Sequence, residues 1–159
     1  MQASNPEDMH WLMSRAGYKP VMEYCGGTEV GGAFVGGTML HPCVPSCFAT
    51  PSLGFDLYIL PPDGSQPISF ESAEAANIGL RGEIAVRAPA IGTSQMLLNR
   101  DHHEVYYSGM PCVDGLALRR HGDEFEILPG LGYIKAHGRC DDTMNLGGIK
   151  VSPSALLAA

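Results

Sequence analysis

Residues 138–151 read GRCDDTMNLGGIKV, running from Gly138 and Arg139 through Cys140, Asp141 and Asp142 to Gly147, Gly148, Ile149, Lys150 and Val151. Arginine's planar fork suits two oxygens at once, on a ribose or a phosphate, whereas lysine acts as a compact point charge. Between the two cations lie paired acids and two glycines, a composition suited to a pivot or exposed loop. A solvated charged loop carries the same residue types, so the stretch gains meaning only from what surrounds it.

Working upstream, residues 124–137 (EFEILPGLGYIKAH) alternate as a hairpin, with Phe125 to Leu128 and Tyr133 to Ala136 flanking a Pro-Gly turn. Further strand signals occupy 55–60, 82–88, 105–107 and 116–119, and Pro61-Pro62-Asp63-Gly64 marks a turn. Between 31 and 51 glycine and proline recur in an apolar background, which predicts an irregular but buried crossing segment. Residues 6–18 predict a short helix begun by Asn5-Pro6, with Trp11 in the core. Residues 20–24 predict a strand stopped by Cys25-Gly26-Gly27.

The 159 residues suffice for one domain, and 20 glycines with 12 prolines argue against a long helical bundle. A formal charge of −7 gives no support for binding nucleic acid or an anionic membrane. Of the ten basic residues, 5 fall within 119–159, so an anionic ligand is expected toward that end. Five cysteines without a C-x-x-C pair argue against a disulfide framework or zinc site and favour a reducing compartment, cytoplasmic or peroxisomal. No stretch approaches the ~20 apolar residues of a membrane helix. The final residues, Leu156-Leu157-Ala158-Ala159, are not a peroxisomal tripeptide address. His102 and His103 lie between Asp101 and Glu104, but adjacent side chains point apart, so this cluster is not expected to hold a metal.

Two more strings carry chemistry. In Tyr24-Cys25-Gly26-Gly27-Thr28-Glu29, glycines let backbone N–H groups approach an anion, Thr28 can donate to phosphate, and Glu29 offers hard oxygen to Mg²⁺. An ordinary glycine turn with a surface acid reads the same way. In Arg119-Arg120-His121-Gly122-Asp123, a carboxylate after a tight glycine can accept from two adjacent ribose hydroxyls. Gly-Asp is equally a common turn.

It is the serial order that discriminates. Y-C-G-G-T-E at 24–29, G-E-I-A-V-R at 82–87, H-G-D at 121–123 and the stretch at 138–151 together resemble the adenylate-forming superfamily of acyl-CoA synthetases, luciferases and peptide-synthetase adenylation domains. The resemblance covers nearly the whole chain and is nearest in texture to acetyl-CoA-synthetase-like and plant-type acyl-activating enzymes, with Asn145 where many relatives have lysine.

The resemblance implies an α+β, β-rich fragment of the large N-terminal domain. Residues 1–53 would end the α/β subdomain and carry a nucleotide-binding loop at 24–32. Residues 54–140 would form a distorted β-barrel subdomain with the ribose motif at 121–123, and 141–159 the hinge and first strand of the C-terminal domain.

It also implies roles. Thr28, Glu29 and Lys150 would be catalytic: Thr28 on the α-phosphate of ATP and of the acyl-adenylate, Glu29 on Mg²⁺, Lys150 near phosphate. Asp123 would bind the ribose hydroxyls with Arg139 in support, and Tyr24, Cys25, Gly26 and Gly27 would complete the nucleotide contacts. Asp141 would be the hinge and Gly148 would lie near the pantetheine of CoA.

The chain departs from the family pattern at three places. Cys25 holds the position of an adenine-stacking aromatic, with Tyr24 one step earlier, and His121 replaces the usual threonine. Gly26 stands where acetate-specific relatives have tryptophan, which points to a bulkier acid.

The implied activity is carboxylate plus ATP giving acyl-adenylate and pyrophosphate, then CoA giving acyl-CoA, with Mg²⁺, ATP and CoA as the small molecules and the remainder of the enzyme as partner. The phosphate loop and the adenylating lysine of the family are not among these residues, so the fragment alone is expected to be inactive. The alternatives are a noncatalytic nucleotide-binding module and an adenylating enzyme that uses a carrier protein or other acceptor.

Overall fold

The computed structural model describes residues 4–72, 77, 79–140, 144–146 and 149–151. Helix α1 (Pro6–Arg15) starts where expected: the Asn5 side chain accepts the Glu7 N–H at 3.0 Å, and Pro6 sits at the first helical position. Only Met9 of this helix is buried, and Trp11 is 61% exposed, against the expectation of a core residue. The Arg15 guanidinium lies 5.5 Å from the Trp11 ring centroid, which supplies the ring with a surface partner instead.

A small antiparallel sheet follows, in the order β1-β2-β3, from β1 (Tyr24–Gly27), β2 (Gly32–Gly36) and β3 (Thr50–Pro51). A single 3₁₀ turn, Thr28–Val30, joins β1 to β2. The expected strand over 20–24 is thus displaced, because the glycines expected to stop it are paired: Gly26 with Ala33 and Gly27 with Gly32, next to an irregularity at Cys25/Gly26. A Cβ on Gly26 would stand 2.2 Å from the Gly32 carbonyl oxygen, so glycine is what lets the two strands approach. Within the segment expected to be buried, Phe34, Val35 and Phe48 are core, but Met39 and Leu40 face outward.

The larger sheet curls into a half-barrel. Its order is β5-β4-β6-β8-β7, with β9 also on β8, and every pairing is antiparallel. The strands are β4 (Leu57–Leu60), β5 (Ile68–Ser69), β6 (Arg81–Arg87), β7 (Cys112–Val113), β8 (Leu116–Ile127) and β9 (Ile134–Arg139). β8 does not end at 119. It runs on through His121, Gly122 and Asp123, because Gly122 at φ +84° absorbs the local distortion inside the strand instead of closing a turn. Residues 105–107 are not a strand either: helix α2 (His102–Tyr106) takes in Val105 and Tyr106, capped by the Asp101 side chain, which accepts the Glu104 N–H at 2.7 Å. The aromatic and β-branched composition there gave the opposite signal.

Phe34 from the small sheet and Phe48, which bridges to Ile134 of β9, meet Ile59, Ile84, Phe125 and Ile127 from the large sheet in a shared core. The large sheet's middle strand β8 is thereby held against the β1-β2 hairpin. A last hairpin pairs β10 (Met144–Leu146) with β11 (Ile149–Val151), placing Asn145 opposite Lys150.

Candidate functional site

The site is built where β8 faces the β1-β2 hairpin. Arg119, His121 and Asp123 alternate along β8, and all three are buried. Asp123 is paired in register with Arg139 of β9, which brings the two sequence-predicted ribose residues side by side. Arg139 Nη1 donates to the His121 carbonyl at 2.9 Å and to Asp123 Oδ1 at 3.3 Å, while His121 Nε2 lies 3.1 Å from Asp123 Oδ2. Burial alone would raise the Asp123 carboxyl, but the hydrogen bond from His121 and the positive charges nearby outweigh it and hold the group below the ordinary carboxylate range. Gly122 makes the pairing possible, since a Cβ there would stand 2.5 Å from the Arg139 guanidinium.

Across from this group lies the Thr28–Val30 turn. Thr28 is exposed and Glu29 half-buried. The Glu29 carboxylate folds back over Gly27, where any Cβ would stand 2.6 Å from Oε2. A carboxylate in that position is a hard oxygen donor of the kind that Mg²⁺ takes.

Cys25 is fully buried, and burial together with the charges of Asp123 and Glu29 pushes its thiol far above the ordinary range. Cys25 therefore offers no surface for an adenine, whereas Tyr24 is 72% exposed. Asp141 and Gly148 lie outside the described residues, as does the side chain of Lys150, whose backbone is in β11.

Two residues of this row make contacts that the sequence reading did not assign: Arg119, which it did not single out, and His121, which it placed in the ribose motif without a contact. The Arg119 guanidinium lies 3.7 Å from the Tyr106 ring centroid, and its Nη2 donates to Ser94 Oγ at 3.0 Å and to the Glu29 carbonyl at 3.3 Å. It ties the Glu29 turn, the 94 loop and α2 to one point on β8. His121 packs its ring edge-on against Phe34 at 4.4 Å. The signal that finds both is the period-2 spacing 119, 121, 123, visible only if the strand is continued past 119. A cleft of about 400 Å³ opens beside them, bordered by Glu83, Tyr106, Arg120, His121, Gly122 and Arg139 among others. Among the described residues no group of three or more metal-ligating side chains gathers, and no helix is long and apolar enough to cross a membrane.

Comparison with solved structures defines the class. The chain superposes on a Vibrio cholerae adenylation domain, AlmE, in complex with glycyl-adenosine-5'-phosphate, at a TM-score of 0.70 and 22% identity, covering 98% of this chain and 28% of that one. It likewise matches PA1221, a nonribosomal peptide synthetase protein containing adenylation and PCP domains, at a TM-score of 0.72 and 20% identity, covering 98% and 30%. The fold is thus that of part of an adenylation domain.

Sequence narrows it further. The chain is 51% identical over 150 residues to the Arabidopsis thaliana protein named "Probable acyl-activating enzyme 17, peroxisomal", covering 94% of this chain and 20% of the relative. It is 49% identical over 151 residues to the Cannabis sativa hexanoyl-CoA synthase, covering 95% and 20%. No protein-family model matches. Over nearly its whole length the chain is thus similar to a segment of plant acyl-activating enzymes, and its fold is that of part of an adenylation domain. It spans about a fifth of the length of those curated relatives, 20% in each case.

Proposed function

We propose that the chain is the AMP-binding part of a carboxylate–CoA ligase, in which ATP and an acid give an acyl-adenylate and pyrophosphate, and CoA then takes the acyl group and releases AMP. The observation that carries this reading is the buried Asp123 carboxylate, clamped by His121 and Arg139 on the strand that faces the Thr28–Val30 turn, in a chain 49% identical to a hexanoyl-CoA synthase.

Asp123 and Arg139 bind the ribose, Thr28 donates to the α-phosphate, and Glu29 holds Mg²⁺. Bound there, the ion would supply positive charge to the phosphates. None of these side chains forms a covalent intermediate; they position the reactants and stabilise developing charge. The exposed Tyr24 offers its ring to the base. Asp141 serves as the hinge, Gly148 borders the path of CoA, and Lys150 approaches phosphate.

Gly26 leaves the acyl end open, and the acid is longer than acetate. Since a Cβ at Gly26 would also strike the Gly32 carbonyl, enlarging this residue perturbs β1 and β2 as well as the pocket. Acyl preference is therefore best read from the unsubstituted protein. The named location of one relative favours a peroxisomal enzyme over a cytoplasmic one.

The test is to incubate the full-length protein with MgATP, CoA and saturated acids from two to twelve carbons. AMP, pyrophosphate and acyl-CoA are expected, with a preference above acetate. No AMP with any acid would reject the reading in favour of a noncatalytic nucleotide module. AMP without thioester would move the acceptor to a carrier protein.

A further inference from the structure

We propose that His121 is a positioning residue for the nucleotide, whose ring N–H holds the Asp123 carboxylate in the plane that receives two ribose hydroxyls. The proposal rests on the reading of Asp123 as the ribose acceptor and assigns the residue that makes it competent.

The His121 side chain is 2% exposed and its Nε2 lies 3.1 Å from Asp123 Oδ2. A carboxylate oxygen only accepts, so the hydrogen in this contact is on Nε2. The other oxygen, Oδ1, takes Arg139 Nη1 at 3.3 Å. Two donors on two different oxygens fix the plane of the carboxylate about its terminal bond, a torsion that is otherwise broad.

The imidazole is itself held firmly. Phe34 packs against it at 4.4 Å, and the His121 carbonyl accepts from the same Arg139 nitrogen at 2.9 Å. A ring kept only for packing would not need to aim a nitrogen at a buried acid. The direction in which Asp123 titrates agrees, since the hydrogen bond from His121 is the foremost influence opposing burial there. His121 Nδ1 is buried and finds no partner among the described residues, so the ring's one polar contact is the one to Asp123.

The experiment compares His121→Phe, which keeps an aromatic ring against Phe34 but deletes the donor, with His121→Gln, which returns an amide N–H at similar reach. Dissociation constants for ATP and 2′,3′-dideoxy-ATP are measured by calorimetry on the full-length protein and on both variants, with Asp123→Ala as reference. Asp123→Ala is expected to weaken ATP by at least about tenfold, the factor that about 1.4 kcal/mol represents, with much less change for the dideoxy analogue. His121→Phe should weaken ATP by about fivefold or more while moving dideoxy-ATP less than about twofold, and His121→Gln should recover most of the loss.

If Asp123→Ala is selective for ATP but His121→Phe weakens both nucleotides equally, or neither, His121 is only a packing residue and the inference fails. If Asp123→Ala is itself unselective, the ribose reading falls and takes this inference with it. Should His121→Phe fail to fold, His121→Asn, whose amide is too short to span the gap, takes its place in the same comparison: selective loss of ATP supports the inference, and equal or absent loss overturns it.

Discussion

At Asp123 burial and hydrogen bonding pull in opposite directions, and the direction of the outcome has a consequence for stability. The folded carboxyl titrates below its unfolded counterpart, whose value is near ~3.9. The stability this group contributes is therefore complete above that unfolded value, and it is lost as pH falls through the lower folded one. The urea midpoint of unfolding should fall as pH drops below about 4, and Asp123→Asn, which cannot ionise, should show a shallower decline over the same acid range. Identical slopes for the two proteins would mean that Asp123 gains nothing from His121 and Arg139. Glu124, beside it on β8, is also lowered, chiefly by its hydrogen bond from Arg81, but that pair sits at the surface and is screened by salt. Repeating the titration at high salt separates the two, since the buried group should keep its effect.

At the scale of elements, β8 decides the site, and it is also the element the sequence misrepresents. Its end, the hairpin to β9 and the strands β4 and β6 were legible from alternation and turn residues. Its continuity was not, because Gly-Asp after a run of charged residues reads as a turn, whereas here Gly122 at φ +84° is a kink inside a paired strand. The roles proposed for Thr28, Glu29, Asp123 and Arg139 rest on the serial order of motifs. The contacts of His121 and Arg119 were not legible, since an aromatic nitrogen and a buried cation acquire meaning from what they touch.

Gly122 gives the test at this scale. Alanine there must adopt a left-handed backbone, which costs roughly 1–2 kcal/mol, and its methyl must displace the Arg139 guanidinium, the mobile end of a long side chain. Gly122→Ala should thus lower the melting temperature by about 2–8 °C and loosen Arg139 from Asp123. No change in melting temperature would show that the strand can relax at 122 without strain.

On the scale of the whole molecule, the residues proposed for ribose, α-phosphate and metal lie in a chain that spans only 20% of the length of the relatives it matches. Rate acceleration in acyl transfer by charge stabilisation needs donors preorganised around all the groups that change charge, including the departing pyrophosphate. The surface is consistent with a part made for a larger body. Leu40 and Leu53 are 90% and 102% exposed, and both border an open apolar cleft of about 560 Å³ shared by β2, β3 and the segment between them. Exposed apolar patches on a monomer commonly mark surfaces that another chain segment covers. If the proposed function holds, the isolated 159-residue chain should release pyrophosphate from MgATP, CoA and saturated acids of two to twelve carbons no faster than buffer alone, while the full-length protein turns over at least one of them under identical conditions. The comparison uses equal molar amounts and a coupled pyrophosphate assay, with circular dichroism confirming that the isolated chain is folded. Pyrophosphate release above the buffer rate by the folded chain would place a sufficient catalytic apparatus within these residues and overturn the view that they are only its nucleotide-binding part.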